Sequence, residues 1–222
     1  MIDRPSVVLV DLDDTLYPQA EWLAGAWEAV AAAAEELGAP RDDLLSALQS
    51  IAGEGSDRGR IIDRSLERIG RSDMLVAPLV ESFLSHRPIG LHPYPGVVDA
   101  LGHLQDRTVV IVTDGVPEIQ RHKVAALGIS HLVDHVVVSD DAGREYRKPD
   151  PHSLKVGLEL ANAVPADAVM IGDRPEKDVA AAHALGVHAI RVRTGEYATR
   201  PDEPMADAVV DSFAAAVALI AS

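Results

Sequence analysis

Five short runs of β-branched and other apolar residues recur along the chain, and each gives way to polar residues. The first run, residues 6–10 (SVVLV), is too brief for a helix and too apolar for an edge strand. It therefore predicts a strand buried on both faces. Further runs of the same kind lie at residues 108–113, 135–139, 168–172 and 187–191. Together the five runs predict the strands of a buried sheet.

Amphipathic stretches of helical length separate these strands. They occupy residues 96–105, 116–127, 151–162 and 176–185. Two of them are followed by a glycine suited to ending a helix, Gly128 and Gly186. Strands that alternate with helices are typical of a parallel, doubly wound sheet. We therefore predict an α/β fold with a Rossmann-like parallel sheet core.

The interval from about Pro18 to about Pro88 breaks this alternation, because it contains no convincing buried strand. It predicts four helices instead, at residues 21–37, 42–51, 58–69 and 73–85. A block of roughly 70 residues is much longer than a simple crossover connection needs. Prolines on both flanks would stiffen the connections. We predict an inserted all-helical cap subdomain over residues 18–90, and a core formed by residues 1–17 and 91–222.

Composition narrows the functional classes. The chain is 47% hydrophobic and 25% charged, as in an ordinary globular protein, and no uncharged apolar run approaches the ~18 residues of a membrane helix. A net charge of −15 opposes binding to nucleic acid or to an anionic membrane. The absence of cysteine excludes disulfides, thiolate metal sites and a cysteine nucleophile. The first apolar stretch is too short for a signal peptide, so we expect a cytoplasmic protein.

Polar and charged side chains collect where the predicted strands end. Carboxyl ends of parallel strands share one edge of a sheet, and doubly wound sheets bind their ligands there. The residues at this edge are Asp11, Asp13, Asp14 and Thr15 after the first strand, Thr113, Asp114 and Gly115 at the second, Lys148 before the helix at 151, and Asp173 and Asp178 after the fourth. Lys148 is one of only four lysines, the others being Lys123, Lys155 and Lys177.

Clustered carboxylates at this edge predict a bound cation. Carboxylates held together repel one another unless they are protonated or bind a cation. The chain has no cysteine and no paired-histidine spacing that would favour a softer metal. Mg²⁺ takes one or two carboxylates and leaves positions for water and a substrate phosphate. Such a site can neutralise a transferring phosphoryl group, which an acidic surface would otherwise repel.

Four segments contain these residues: DLDDTLYP at residues 11–18, TDG at 113–115, KPDP at 148–151 and GDRPEKD at 172–178. In order and spacing they resemble the four motifs of the haloacid dehalogenase-like (HAD) hydrolase superfamily. The resemblance spans residues 6 to about 194. The helical block lies between the first and second motifs, which resembles the C1 cap class. A cap in this position would close over the site, exclude water and read the leaving group.

The resemblance implies a catalytic role for each motif. Asp11 would be the nucleophile that forms an aspartyl-phosphate. Asp13 would protonate the leaving oxygen and then activate water, as general acid and then base. Thr113 and the amide of Gly115 would hold phosphate oxygens, while Lys148 would offset the charge shared by the phosphoryl group and Asp11.

The resemblance also implies a set of metal ligands. Mg²⁺ would be held by the carboxylates of Asp11 and Asp173 and by the backbone carbonyl of Asp13. Asp178 would be outer-shell support or an additional ligand. Asp14, and Asp114 within the phosphate-binding motif, would have orienting roles. Asp173 and Asp178 also fit a helix start, where carboxylates are favourable, and this interpretation is compatible with the metal site.

Asp13 separates the branches of the family. Dehalogenase members attack carbon and need no acid for an alkoxide leaving group, whereas phosphatases keep the second aspartate. The sequence therefore favours a phosphatase acting on a small phosphorylated metabolite such as a sugar phosphate. A phosphomutase or phosphotransferase, a dehalogenase, and a phosphometabolite-binding module without turnover stay open as alternatives. The sequence does not indicate an oligomeric state.

Two groups of arginines have alternative interpretations. The first group lies between Gly143 and Lys148, where this chain has four residues and related sequences commonly have two. Arg144 or Arg147 in this loop could reach an anionic substrate or serve as a solvated counter-charge. In the insert, Arg60, Arg64 and Arg68 form one stripe of a helix. The stripe could bind anions, but we favour an exposed face paired with acids.

Overall fold

The computed structural model describes residues 4–55 and 59–221 of the chain. The chain divides into two compact units, one made of Met1–Gln19 with Ile89–Ser222 and the other of Ala20–Pro88. Within the described residues, no helix combines the length and the apolar character needed to cross a membrane.

The first unit is built on a six-stranded sheet in which all neighbouring strands are parallel. Its spatial order is β3-β2-β1-β4-β5-β6. The strands are β1 (Val7–Val10), β2 (Thr108–Thr113), β3 (His135–Val138), β4 (Ala168–Gly172), β5 (His188–Val192) and β6 (Ala208–Val210). The predicted doubly wound α/β class is thus confirmed, and each of the five predicted strands is present to within one residue at either end.

The sixth strand, β6, was not predicted. It pairs only with β5, at the edge of the sheet, and its three residues are exposed or half-buried. An edge strand this short has no continuous buried run, so the apolar pattern that revealed the other strands is missing.

The register of the central strands determines which residues meet at the carboxyl edge. Val10 lies opposite both Ile111 and Ile171, so β1, β2 and β4 reach the edge together. The strand order changes direction at β1, because β2 lies on one side of it and β4 on the other. A doubly wound sheet opens a crevice at such a switch point. Asp11 follows β1 there, and its backbone N–H donates to the carbonyl of Ile171 at 2.9 Å.

Five α-helices accompany this sheet in the described part of the unit: α5 (Val97–Gly102), α6 (Pro117–Ala126), α7 (His152–Leu160), α8 (Ala180–Leu185) and α9 (Phe213–Ala221). The first three match predicted stretches but are shorter. The stretch predicted at 176–185 begins as a π-helix, Pro175–Val179, and continues as α8. Helix α9 was missed because its sequence, FAAAVALIA, is apolar throughout and has no amphipathic period.

The second unit contains four helices: α1 (Gln19–Glu36), α2 (Arg41–Ala52), α3 (Ile61–Arg68) and α4 (Val76–Ser85). The first residue of α1, Gln19, belongs to the first unit. The predicted start of the third helix at Arg58 lies outside the described residues. The unit has its own core, centred on buried residues such as Trp27, Leu48 and Leu79. Its function as a cap stays a prediction.

The arginine stripe of α3 is engaged within this helical unit. Arg64 donates to Glu54 at 2.5 Å, and Arg68 donates to Ser50 at 2.9 Å. Arg60 lies 3.6 Å from Asp63. These contacts favour an exposed, paired face over an anion-binding one.

The main core lies between the sheet and helices α7 and α8, where Gly157 of α7 packs against the central strands. A Cβ atom at Gly157 would lie 3.1 Å from Cδ2 of Leu9 and 3.4 Å from Cγ1 of Val110. We expect Gly157→Val to overpack this interface and to lower the free energy of unfolding by about 1–3 kcal/mol. Urea unfolding followed by circular dichroism measures the change.

Gly102 at the end of α5 supplies the matched control. Apart from its chain neighbours and the backbone of its own helix, none of the described residues has an atom within 4 Å of the Cβ that Gly102→Ala would add. This variant should therefore keep the wild-type stability or gain up to about 1 kcal/mol. Wild-type stability of Gly157→Val would contradict the close packing of α7 on the sheet.

Candidate active site

A buried ion-pair cluster centres on Lys148. Its Nζ donates to Oδ1 of Asp11 and to Oδ1 of Asp178, at 2.6 Å in each case, and to the carbonyl of Val112 at 3.1 Å. Only 2% of the Lys148 side chain is exposed. Burial opposes its charged form, but attraction to Asp11 and Asp178 outweighs burial and raises the pKa of Lys148 above its ordinary value. Lys148 is therefore a permanent cation in contact with the predicted nucleophile.

Negative charge exceeds positive charge around this ammonium. Burial raises the pKa of Asp11 to about 7, although Lys148 acts in the opposite direction. Burial also raises the pKa of Asp173 well above its ordinary value, and the charges of Asp178 and Asp11 add to the effect. One lysine does not compensate three buried carboxylates, so the cluster favours an additional cation.

The three carboxylates fit a hard metal ion. One oxygen from each of Asp11, Asp173 and Asp178 lies within 4.8 Å of the others. Oδ2 of Asp173 is buried and accepts no hydrogen bond from the part of the chain that the structure describes. An unsatisfied buried acceptor is costly, and a cation with oxygen ligands would satisfy it. The donor set, which is all oxygen, matches the predicted Mg²⁺.

Both carboxylate oxygens of Asp178 accept hydrogen bonds within this cluster. Its Oδ1 accepts from Lys148, and its Oδ2 accepts from the backbone N–H of Arg174 at 3.0 Å. Because both oxygens already have donors, the contacts favour a supporting role over a direct ligand. The side chain of Asp13 lies outside the three-carboxylate group, so the predicted metal contact through its backbone carbonyl stays a prediction.

The carboxylate of Asp13 is held by three side chains. Lys123 contacts its Oδ1 at 2.8 Å and its Oδ2 at 3.0 Å. Tyr17 donates to Oδ1 at 2.5 Å, and Gln120 donates to Oδ2 at 2.9 Å. Burial alone would raise the pKa of Asp13, but Lys123 and the hydrogen bonds outweigh it and lower the pKa below its ordinary value.

Sequence reasoning assigned no role to Tyr17, Gln120 or Lys123. The sequence nevertheless contained one signal for Lys123. The chain has only four lysines, so any lysine that the chemistry needs is one of few candidates. Gln120 and Lys123 lie one turn apart on α6, which begins two residues after the predicted phosphate-binding motif. That spacing places both side chains on one face of the helix.

The predicted phosphate-binding motif is tied directly to the Lys148 cluster. Oδ1 of Asp114 accepts from the backbone N–H of Lys148 at 3.1 Å, and its Oδ2 lies 3.4 Å from Nζ of Lys177. Oγ1 of Thr113 accepts from Gln120 at 2.6 Å. Gly115 has a φ of 132°, a conformation that other residues rarely adopt. Asp114 thus has the contacts of an orienting residue.

Asp14 connects the first motif to a distant loop. It adopts the left-handed conformation, with a φ of 58°. Its Oδ1 accepts from the backbone N–H of Gln19 at 2.9 Å, and its Oδ2 accepts from that of Glu196 at 3.1 Å. Its carbonyl accepts from the hydroxyl of Thr194. These contacts also fit an orienting role.

The loop before Lys148 forms a short 3₁₀ turn, Arg144–Tyr146. Arg147 donates to both oxygens of Asp140, at 2.6 and 2.5 Å, and this pair raises the pKa of Arg147. Arg147 is therefore a paired counter-charge on the loop. The ring of Tyr146 packs against His152 with centroids 4.5 Å apart.

Comparisons with known proteins agree with this geometry. A family model described as haloacid dehalogenase-like hydrolase matches residues 5–186. The chain is 35% identical over 218 residues to a glyceraldehyde 3-phosphate phosphatase of Methanopyrus kandleri, covering 93% of this chain and 91% of that protein. It is 32% identical to a phosphoglycolate phosphatase of Rhodospirillum rubrum, covering 95% of this chain and 88% of that protein.

A solved structure also resembles the whole chain. It is a 2-haloacid dehalogenase of Pseudomonas syringae pv. Tomato DC3000, 27% identical, with a TM-score of 0.65. The match covers 100% of this chain and 99% of the dehalogenase. Similarity at this level is thus found with proteins named for phosphate ester chemistry and for carbon–halogen chemistry.

Mg²⁺ should stabilise the protein. A ligand that binds only the folded state at 100 times its Kd adds about 2.7 kcal/mol to the free energy of unfolding. We therefore expect Mg²⁺ to raise the melting temperature of chelator-treated protein. Because burial raises the pKa of Asp11 to about 7, binding at pH 6 must displace a proton, so the affinity should be higher at pH 8. Calorimetric titration at the two pH values measures this difference.

Two variants test where Mg²⁺ binds. Asp173→Asn should abolish the thermal response to Mg²⁺ while keeping the metal-free protein at least as stable as wild type, because the substitution removes a buried charge. Asp106, whose side chain is 79% exposed, supplies the control. Asp106→Asn should respond to Mg²⁺ as wild type does. An undiminished response in Asp173→Asn would contradict the assignment.

Proposed function

Because the chain belongs to the haloacid dehalogenase-like hydrolases, we propose that it is a Mg²⁺-dependent phosphatase that hydrolyses a small phosphomonoester through an aspartyl-phosphate at Asp11. One observation carries this proposal furthest. A second carboxylate, Asp13, follows the nucleophile by two residues and is held by Lys123, Tyr17 and Gln120. A phosphatase needs such a group, and a dehalogenase does not.

The surroundings of Asp11 suit a nucleophile. Its carboxylate is buried at the end of β1 and contacts the ammonium of Lys148. Attack on phosphorus in line with the ester oxygen forms the acyl-phosphate bond and breaks the P–O bond of the ester. Lys148 would balance the charge shared by Asp11 and the phosphoryl oxygens, and its contact with Asp178 fixes its position.

Asp13 would donate a proton to the leaving oxygen in the first step and accept a proton from water in the second. An alkoxide leaving group needs a proton, whereas a halide does not, so a fixed second carboxylate supports ester hydrolysis. Lys123 favours the ionised form of Asp13 in the free protein, which suits its role as base toward water. A bound phosphoryl group opposes that negative charge and favours uptake of the proton that the leaving oxygen requires.

The carboxylates of Asp11 and Asp173, with the backbone carbonyl of Asp13, would hold Mg²⁺, and Asp178 would support them. When bound, the ion would neutralise part of the negative charge of the phosphoryl group. The protein contributes Thr113 and the amide of Gly115 as donors to the phosphate oxygens. The predicted role of the helical unit in selecting the leaving group stays a prediction, as does a cytoplasmic location.

The substrate class follows from the relatives and from charge. Glyceraldehyde 3-phosphate and phosphoglycolate, which name two of the similar proteins, are phosphomonoesters of three and two carbons. A substrate of this size needs only local compensation of its charge, which Lys148 and Mg²⁺ would give. The net charge of −15 disfavours long polyanions such as nucleic acid. We therefore propose a small phosphorylated metabolite as the substrate.

Phosphate release from a panel of substrates tests the proposal. With Mg²⁺, the wild type should release phosphate from p-nitrophenyl phosphate and from one or more of glyceraldehyde 3-phosphate, phosphoglycolate and phosphoserine. Asp11→Asn should lower kcat at least about a thousandfold, because it removes the nucleophile. Asp106→Asn should keep wild-type kinetics.

Each competing function gives a different result in this assay. Transfer of the phosphoryl group to an added alcohol or sugar in preference to water would identify a phosphotransferase or mutase. Halide release from 2-chloropropionate without phosphate release would identify a dehalogenase. Phosphate binding without turnover of any ester would identify a binding module. Appreciable turnover by pure Asp11→Asn would contradict the proposed nucleophile.

Asp13→Asn tests the proton transfers separately. An amide cannot supply the proton, so kcat for the alkyl phosphates should fall about 10²- to 10⁴-fold. The first step with p-nitrophenyl phosphate should suffer less, because p-nitrophenolate leaves without a proton. Rapid mixing would resolve that step as a burst of p-nitrophenolate. Wild-type turnover of the alkyl phosphates would remove Asp13 from this role.

A further inference from the structure

We propose that Gln120 and Lys123 are positioning residues for this reaction: Lys123 fixes the carboxylate of Asp13, and Gln120 orients the Thr113 hydroxyl to donate to the phosphoryl group. The proposal rests on the phosphatase function above and adds two residues to it. Both lie on α6, one helical turn apart, and both side chains are buried.

Lys123 fixes the plane of the Asp13 carboxylate. Its Nζ contacts both oxygens, at 2.8 and 3.0 Å, and its side chain is 3% exposed. Tyr17 adds a donor to Oδ1, and Gln120 adds one to Oδ2, so each oxygen has two donors. Rotation of the carboxylate would break contacts on both oxygens at once. Asp13 is therefore held in one orientation before substrate arrives.

The orientation of the Gln120 amide follows from its neighbour. A carboxylate whose two oxygens contact a lysine ammonium can only accept hydrogen bonds. The amide atom 2.9 Å from Oδ2 of Asp13 must therefore be Nε2, which donates. The same Nε2 lies 2.6 Å from Oγ1 of Thr113, so Thr113 is the acceptor in that contact. The two hydrogens of one amide group thus serve Asp13 and Thr113.

This assignment determines the direction of the Thr113 proton. A hydroxyl that accepts from Gln120 keeps its own hydrogen for another acceptor. Within residues 4–55 and 59–221 the Thr113 hydroxyl has no acceptor, although only 1% of the residue is exposed. A phosphoryl oxygen would supply one. The reverse amide orientation would use the Thr113 proton on Gln120 and present oxygen lone pairs to the anion.

Gly115 leaves the space that this arrangement needs. A Cβ atom at Gly115 would lie 3.3 Å from Cδ and 3.4 Å from Cγ of Gln120. A side chain there would press on the amide that links Asp13 to Thr113. The absence of a side chain at this glycine therefore leaves room for Gln120, in addition to allowing the backbone conformation of the motif.

Stability alone gives little reason for this network. Replacing a buried ion pair with apolar side chains of similar size is often neutral or stabilising. Lys123 and Asp13 come from parts of the chain 110 residues apart, and their pairing orders one carboxylate at the catalytic edge. A positioning role accounts for a buried charge pair at this place.

The role of Lys123 is tested by comparing the activity that Lys123→Met loses on substrates with a poor and with a good leaving group. Lys123→Met should lower kcat about a hundredfold for the alkyl phosphate that the wild type hydrolyses fastest in the panel, because Asp13 is no longer aligned with the leaving oxygen. The burst rate with p-nitrophenyl phosphate should fall less than about tenfold. Lys123→Arg should recover part of the alkyl phosphate activity. Lys155→Met changes a lysine that is 66% exposed and should leave both substrates unaffected.

Gln120 is tested through Thr113. Gln120→Met should weaken inhibition by inorganic phosphate about tenfold and raise KM equally for both substrates, because the Thr113 hydroxyl is no longer oriented to donate to the phosphoryl group. Thr113→Val should have an effect of at least this size. For phosphate inhibition, the double variant should be no worse than Thr113→Val alone, since Gln120 affects the bound phosphoryl group through the hydroxyl that Thr113→Val removes.

The outcomes distinguish a failure of the positioning roles from a failure of the phosphatase function. An equal loss on both substrates in a folded Lys123→Met would overturn the positioning role of Lys123. Additive effects of Gln120→Met and Thr113→Val on phosphate inhibition would overturn the role of Gln120. Melting temperatures identify any variant that does not fold, and Lys123→Arg and the Gln120 cycle then carry the test. A wild type that hydrolyses no ester in the panel would instead refute the phosphatase function itself.

Discussion

The contact of one buried ammonium with three segments at the carboxyl edge of the sheet underlies the arrangement of the site. Lys148 joins Asp11 after β1, Val112 in β2 and Asp178 after β4, and therefore connects three strand ends. Losing one partner of a buried ion pair typically costs about 3–5 kcal/mol, because a charge is left uncompensated. The same contact sets the position of the nucleophile, so the stability of this edge and its chemistry depend on one side chain. Asp114 also accepts a hydrogen bond from the backbone N–H of Lys148.

Lysine is rare in this chain and concentrated at this edge. Three of the four lysines contact carboxylates of the first two motifs: Lys148 with Asp11, Lys123 with Asp13, and Lys177 with Asp114. Lysine is a compact point charge, whereas the planar fork of arginine suits bidentate recognition of carboxylates. Arg147 and Asp140 are such a pair on the neighbouring loop.

The sequence predicted the sheet and part of the site for identifiable reasons. The five longer strands are continuous apolar runs, and the residues that follow them meet at one edge because parallel strands share their direction, so Asp11, Lys148 and Asp178 could be grouped in advance. Lys123 could not be grouped with them, because its contact with Asp13 depends on how α6 is rotated against the sheet. Strand β6 and helix α9 lack the alternation or period on which such predictions depend.

The central place of β1 has a consequence for biosynthesis. Of the six described strands, β1 is made before the others, yet both of its neighbours come from much later in the chain, at Thr108 and at Ala168. One edge therefore stays unpaired until β2 has been made, about halfway along the chain, and the other until β4, about three quarters along, and pairing over such sequence distances is slow. The helical unit between them has a core of local contacts and can form first. We expect the nascent chain to present folded helices while its first strand still awaits both partners.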